Sequence, residues 1–198
     1  MNSMDLFERY PQLNICAKDI EKALALMVDT YKNGGKILVC GNGGSASDAD
    51  HIVGELMKGF LKDRKITDAR IPQELREKLQ GALPAISLSA HTSLMTATIN
   101  DNDADMIFAQ QVYGYAKEND LLIAISTSGN SKNVVNAVKV AKSLGVKAIA
   151  LTGETGGELK QFADVTICAP STETYKIQEY HLPIYHYLCA KVEEEIFG

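Results

Sequence analysis

The sequence predicts an α/β protein: a doubly wound, five-stranded parallel sheet flanked by helices. Three observations carry this. Five short apolar runs rich in β-branched residues recur along the chain. Helical stretches separate them, so the chain returns to the sheet by crossovers and not by hairpins. The runs are largely apolar rather than strictly alternating, the pattern of strands covered on both faces. Right-handed crossovers then wind helices onto both sides of the sheet.

The elements follow in order. Residues 1–34 form an N-terminal helical segment. Its apolar residues Leu13, Ile20, Leu24, Met27 and Tyr31 share one helical face, and Gly34-Gly35 ends it. Lys36–Cys40 is the first strand, and a helix over Asp48–Phe60 follows. Leu61–Gly81 is polar and charged, with Pro72 opening a short helix at Gln73–Leu79; residues 61–83 read as a surface excursion within the crossover. Ala85–Leu88 is the second strand, followed by helices at Ser93–Asn100 and Met106–Lys117. Leu121–Ile125 is the third strand, with a helix at Ser131–Leu144. Ala148–Leu151 and Val165–Cys168 are the last two strands, with a helical stretch at Glu158–Phe162 between them. The final helix, Thr172–Ile196, is apolar around most of its circumference through Tyr180, Leu182, Ile184, Tyr185, Tyr187, Leu188 and Val192. Such a helix needs burial on more than one side, which points to a subunit contact; packing deep in its own core would also meet the need. Pro183 inside it should remove one backbone bond and kink it.

Composition sets the outer limits. At 198 residues the chain fits one domain with a core that needs no disulfide or metal staple. A hydrophobic fraction of 45% with 23% charged residues excludes wholesale disorder. With 20 Lys and Arg against 25 Asp and Glu, the chain lacks the footprint of a nucleic-acid binder. No run of 18 apolar residues occurs, so no membrane span is expected, and the start lacks an apolar signal core. The cytoplasm is the expected location. Cys16, Cys40, Cys168 and Cys189 show no CxxC spacing and read as buried, reduced thiols.

Ligands of such sheets bind beyond the carboxyl ends of the strands, so chemistry is sought in the loops there. Cys40-Gly41-Asn42-Gly43-Gly44-Ser45-Ala46 lies between strand and helix, where glycines admit a ligand to the backbone. It matches G-x-G-x-x-A, but the acidic residue a dinucleotide site requires is missing after the second strand. A tight turn would also explain it. Ile125-Ser126-Thr127-Ser128-Gly129-Asn130-Ser131 sets four hydroxyls around a glycine at a helix start, a cradle for an anion or simply a cluster of caps. No Walker lysine and no G-x-S-x-G accompany it. His51 and Glu55 share one helical face at i, i+4. Gln178 and His186 stand about 12 Å apart along an ideal helix and about 80° around it. Long side chains, the Pro183 kink or a second subunit would be needed to bring them to one ion, and Glu179 aligns better with His186 by angle. Asn100-Asp101 alone reads as a helix end and turn.

None of these strings is specific alone, but their order and spacing are. CGNGGS, His51-x-x-x-Glu55, Asn100-Asp101, ISTSGNS, the LTG at Leu151 and IQE with His186 together resemble the phosphoheptose isomerase family of sugar isomerase (SIS) domains over nearly the whole chain. The resemblance implies a single SIS domain over residues 1–198. It implies conversion of sedoheptulose 7-phosphate to D-glycero-D-manno-heptose 7-phosphate, a ketose–aldose isomerisation. It implies a homotetramer with sites, and the N-terminal and C-terminal helices, at subunit contacts. It implies one zinc ion per site on His51, Glu55, Gln178 and His186. Substrate contacts carry over to Asn42, Gly43, Gly44, Ser45, Glu55, Asn100, Asp101, Ser126, Thr127, Ser128, Ser131 and Gln178. Three features depart from the family pattern: the long 61–81 stretch, Lys176 where arginine is common, and Pro183.

The implied chemistry needs a base to move a proton between adjacent carbons and an acid to serve the oxygens. Glu55 is the candidate base and His186 the candidate acid. A carboxylate held on zinc is a poorer base, so either Glu55 leaves the metal during turnover or the metal is chiefly structural. Two other functions compete: a non-catalytic SIS adaptor of the kind that associates with the bacterial replication initiator, and chemistry on another phosphosugar. Adaptors generally lack equivalents of Glu55 and the second histidine, and both are present here.

Overall fold

A computed structural model describes residues 6–198. The N-terminal helical segment is therefore seen from Leu6 onward, and residues 1–5 lie outside the described residues. Helix α1 is Leu6–Arg9. A 3₁₀ turn at Pro11–Cys16 leads into α2, Ala17–Lys32, so the expected first helix begins as a tighter coil. Proline at its first position suits such a start. Strand β1 is Ile37–Gly41 and α3 is Gly44–Met57. Helix α3 begins four residues earlier than expected, because the glycine loop runs straight into its first turn. Helix α4 (Gln73–Arg76), β2 (Ala85–Ser87), α5 (Thr92–Asp101) and α6 (Ile107–Tyr115) complete the long crossover. Then come β3 (Leu121–Ile125), α7 (Lys132–Ser143), β4 (Lys147–Thr152), a 3₁₀ turn at Glu158–Gln161, β5 (Val165–Cys168) and α8 (Thr174–Phe197). Helix α8 runs as one element across Pro183.

The sheet is wholly parallel, in the order β2-β1-β3-β4-β5. Alternate strand residues enter two separate cores, as the period of two requires. Ile37, Val39, Ile123, Ile149 and Ile167 pack under α2, α3 and α8; Leu38, Cys40, Leu122, Ala124 and Ala150 pack under α6 and α7. Chain direction reverses across the sheet between β1 and β3, whose following helices lie on opposite faces. A crevice opens at that point beyond the strand ends.

Much of the apolar girth of α8 is spent inside its own chain: Ile184, Tyr185, Leu188, Cys189 and Val192 are buried in the core shared with α2 and α3. The 61–83 excursion is mostly exposed, but Arg64 in it is fully buried. Its Nε donates to Glu193 Oε1 at 2.6 Å, and its Nη1 and Nη2 donate to the carbonyls of Leu56 (2.6 Å) and Glu55 (3.1 Å). Glu193 also accepts from the amides of Phe60, Leu61 and Lys62. The excursion is thus pinned between the end of α3 and α8. All four cysteines are free thiols, with Cys168 only half-buried; burial raises Cys16 to about 11 and Cys40 to about 12. No helix among the described residues is long and apolar enough to cross a membrane.

Candidate functional site

Helices α3 and α8 lie side by side on the same face of the sheet, and their contact assembles a polar cluster. His51 Nε2 lies 3.1 Å from Glu55 Oε1, the expected i, i+4 pair. His186, 135 residues along the chain from His51, brings its Nε2 to 3.3 Å from His51 Nε2. One ligand atom from each of the three residues lies within 4.8 Å of the others. Two ring nitrogens aimed at each other beside a carboxylate form a poor hydrogen-bond network but a good donor set for a divalent cation. Glu55 Oε2 supports this fit, since it is buried without a hydrogen bond and, among the described residues, has only the Lys58 ammonium, 3.6 Å away, as an ion partner. Burial, and next to it the neighbouring His51, hold the His186 pKa below its ordinary value and keep the ring neutral, the form that binds a metal.

The donor set has a second layer. Tyr185 Oη donates to Asp48 Oδ1 at 3.2 Å and lies 3.0 Å from His51 Nδ1. Burial pushes the Tyr185 hydroxyl and the Asp48 carboxyl pKa values up. Neither residue was picked out by sequence reasoning. Tyr185 reads as one more apolar position of α8, although Asp48 one turn before His51 was a visible hint.

Gln178 sits elsewhere on α8. A Cβ added to Gly44 would meet the Gln178 amide nitrogen at 2.5 Å, so the glycine is what lets that amide rest on the start of α3. Gly44 and Gln178 form one contact between the two helices and His51 and His186 the next, about 10 Å further along α3 and about 12 Å further along α8 by helix rise. The structure therefore brings His51, Glu55 and His186 together and sets Gln178 against the glycine loop.

The two loops of the crevice are joined. Asn42 and Asn133 exchange reciprocal amide hydrogen bonds of 2.9 Å, tying the glycine loop to the first turn of α7. Gly43 and Gly44 are exposed and Ser45 is buried. In the hydroxyl loop Ser126 Oγ and Ser131 Oγ lie 3.0 Å apart, and Ser128 Oγ accepts from the Asn130 amide. Thr127 is half-buried and Ser128 exposed. Gly129 adopts φ +68°, and a Cβ there would stand 2.2 Å from the Gly156 carbonyl, so the loop after β4 braces this one from behind. Asn100 and Asp101 lie at the end of α5, exposed and hydrogen-bonded to each other at 2.7 Å. Among the described hydrogen bonds neither reaches the cluster or the two loops.

Known proteins match the chain over most of its length. An SIS domain profile matches residues 85–187, and a second SIS domain profile matches residues 11–81. The phosphoheptose isomerase of Aliarcobacter butzleri is 44% identical over 177 residues, covering 89% of this chain and 85% of its own length. That of Akkermansia muciniphila is 38% identical over 195 residues, covering 98% and 95%.

The chain belongs to the phosphoheptose isomerase family.

Solved structures agree in fold. Phosphoheptose isomerase GmhA from Neisseria gonorrhoeae superposes with a TM-score of 0.79 at 34% identity, covering 97% of this chain and 93% of that one. A phosphoheptose isomerase from Francisella tularensis gives 0.78 at 34% identity, with 97% and 92% covered. The five-stranded parallel sheet with helices on both faces is the architecture this family membership predicts.

Proposed function

We propose that this phosphoheptose isomerase family member interconverts sedoheptulose 7-phosphate and D-glycero-D-manno-heptose 7-phosphate by moving a proton between adjacent carbons through an enediol. The observation that carries the reading is the meeting of His51, Glu55 and His186 beside the crevice between the glycine and hydroxyl loops. A zinc ion held by these three residues, with Gln178 as the fourth ligand implied by family resemblance, would supply Lewis-acid polarisation of the substrate oxygens. Glu55 takes the proton from one carbon and returns it to its neighbour. His186 exchanges protons with the oxygens. Ser126, Thr127, Ser128 and Ser131 hold the phosphate with the amide end of α7, far enough from the reacting carbons to act purely by orientation. Asn42, Gly43, Gly44, Ser45 and Gln178 line the sugar. Asn100 and Asp101 complete the site from their exposed turn, within a homotetramer of single-domain protomers working in the cytoplasm.

The test is proton exchange followed by NMR, with sedoheptulose 7-phosphate in heavy water. The wild-type protein should exchange the carbon-bound proton and form the aldose. Glu55→Gln should fold and lose both. Wild-type turnover by Glu55→Gln would remove the base assignment. Absence of exchange by the wild type would favour an adaptor, and exchange only with another ketose phosphate would reassign the substrate.

A further inference from the structure

The Asp48–Tyr185–His51 chain of hydrogen bonds has a direction, and the direction matters. Among the described residues the Asp48 carboxyl has one hydrogen-bond partner, the Tyr185 hydroxyl; its Oδ2 is buried with none. The Tyr185 hydroxyl has a single proton and donates it to Asp48 Oδ1. The oxygen of Tyr185 is then left as an acceptor toward His51 Nδ1 at 3.0 Å. His51 then donates its Nδ1 proton to Tyr185, and a cation in the cluster takes the Nε2 position that otherwise faces the Glu55 carboxylate at 3.1 Å. The Nδ1-protonated ring is the tautomer a cation in the cluster requires. The Tyr185 ring also stands edge-on to both imidazoles, 5.3 Å from His51 and 5.0 Å from His186. It therefore packs the two rings while its hydroxyl orients one of them.

We infer that Tyr185, anchored by Asp48, is a positioning residue that fixes His51 in its Nδ1-protonated tautomer and so sets the cation affinity of the His51–Glu55–His186 cluster. The inference rests on the reading of that cluster as a zinc site. Partners that lock a ligating histidine typically change metal affinity 10–100-fold. The reverse arrangement, with Tyr185 donating to His51, would put the proton on Nε2 and oppose metal binding.

Two variants separate these cases. Tyr185→Phe keeps the ring and removes the hydroxyl. Asp48→Asn can offer an amide N–H to Tyr185, turning the phenolic proton toward His51. Zinc affinity is measured on the purified chain by competition with a chromophoric chelator. The His51 Nδ1 proton and its exchange with water are read from ring ¹⁵N–¹H correlations on the zinc-loaded chain. Tyr185→Phe should weaken zinc about 10-fold or more, with far-UV circular dichroism unchanged, and Asp48→Asn should weaken it further. In the zinc-loaded wild type the His51 Nδ1 proton should be hydrogen-bonded to Tyr185 and protected from exchange with water, and this protection should be lost in Tyr185→Phe. Zinc binding within twofold of wild type in both variants, or a His51 Nδ1 proton in the zinc-loaded wild type that exchanges as freely as in Tyr185→Phe, would overturn the relay while leaving the zinc reading in place. A wild-type chain that binds no zinc would overturn both.

Discussion

Burial of His181 should make this protein acid-sensitive, by an amount that its surroundings set. The ring is fully buried; its Nε2 donates to the Thr152 carbonyl at 3.1 Å and its Nδ1 has no partner. Burial lowers its pKa from the ordinary 6.5 to about 4, and the bond to Thr152 offsets only part of this. The unfolded chain takes up a proton below 6.5, and the folded chain declines it until about 4. The stability this neutral histidine protects is therefore complete above pH 6.5 and drains away as the pH falls toward 4. At about 1.4 kcal/mol per pH unit, the loss across that window is about 3 kcal/mol. His181→Gln removes the titration and keeps an N–H near the Nε2 position for Thr152. Urea unfolding at fixed protein concentration, with chelator present, gives stability at each pH for both proteins. The gap between wild type and variant should shift by about 3 kcal/mol in favour of His181→Gln between pH 7 and pH 4. Parallel stability curves across that range would refute the reasoning, because they would mean the ring is charged or solvated in the fold.

Other consequences follow from the same packing. Arg64→Met leaves Glu193 ionised and buried with only three backbone donors, so stability should fall by about 3–5 kcal/mol in denaturant titration; a loss under 1 kcal/mol would deny the pair its anchoring role. Arg64 also grips the Glu55 carbonyl, so any folded Arg64→Met protein should bind zinc more weakly, measured by chelator competition. Gly129→Ala forces a side chain into φ +68° and against the Gly156 carbonyl. Backbone strain of about 1–3 kcal/mol should displace the hydroxyl loop, raising KM for the sugar phosphate more than it lowers kcat.

Much of this architecture could be read without coordinates. Continuous apolar runs such as Leu121–Ile125 need cover on both faces, and only a parallel sheet between helix layers supplies it. The pairing of His51 with Glu55 was equally legible, because four residues is one helical turn. The fate of α8 was open on periodicity alone, since a helix apolar all round states that it must be buried but not by what; α2 and α3 turn out to cover most of it. Arg64 was hidden for the opposite reason. A charged residue in a polar stretch looks solvated, and its burial depends on a carboxylate 129 residues away.

The order of strands and helices, the two loops of the crevice and the residues of each half of the cluster are local properties, written in turn chemistry and period. Which halves meet is not local. His186 reaches His51 because β5 returns the chain to the face that β1 had already used, laying α8 along α3 in matching register. Tyr185 became an orienting group, and not merely an apolar one, only when that contact placed its hydroxyl between Asp48 and His51. Contacts between residues distant in sequence depend on the packing of whole layers, and no window of sequence carries that information.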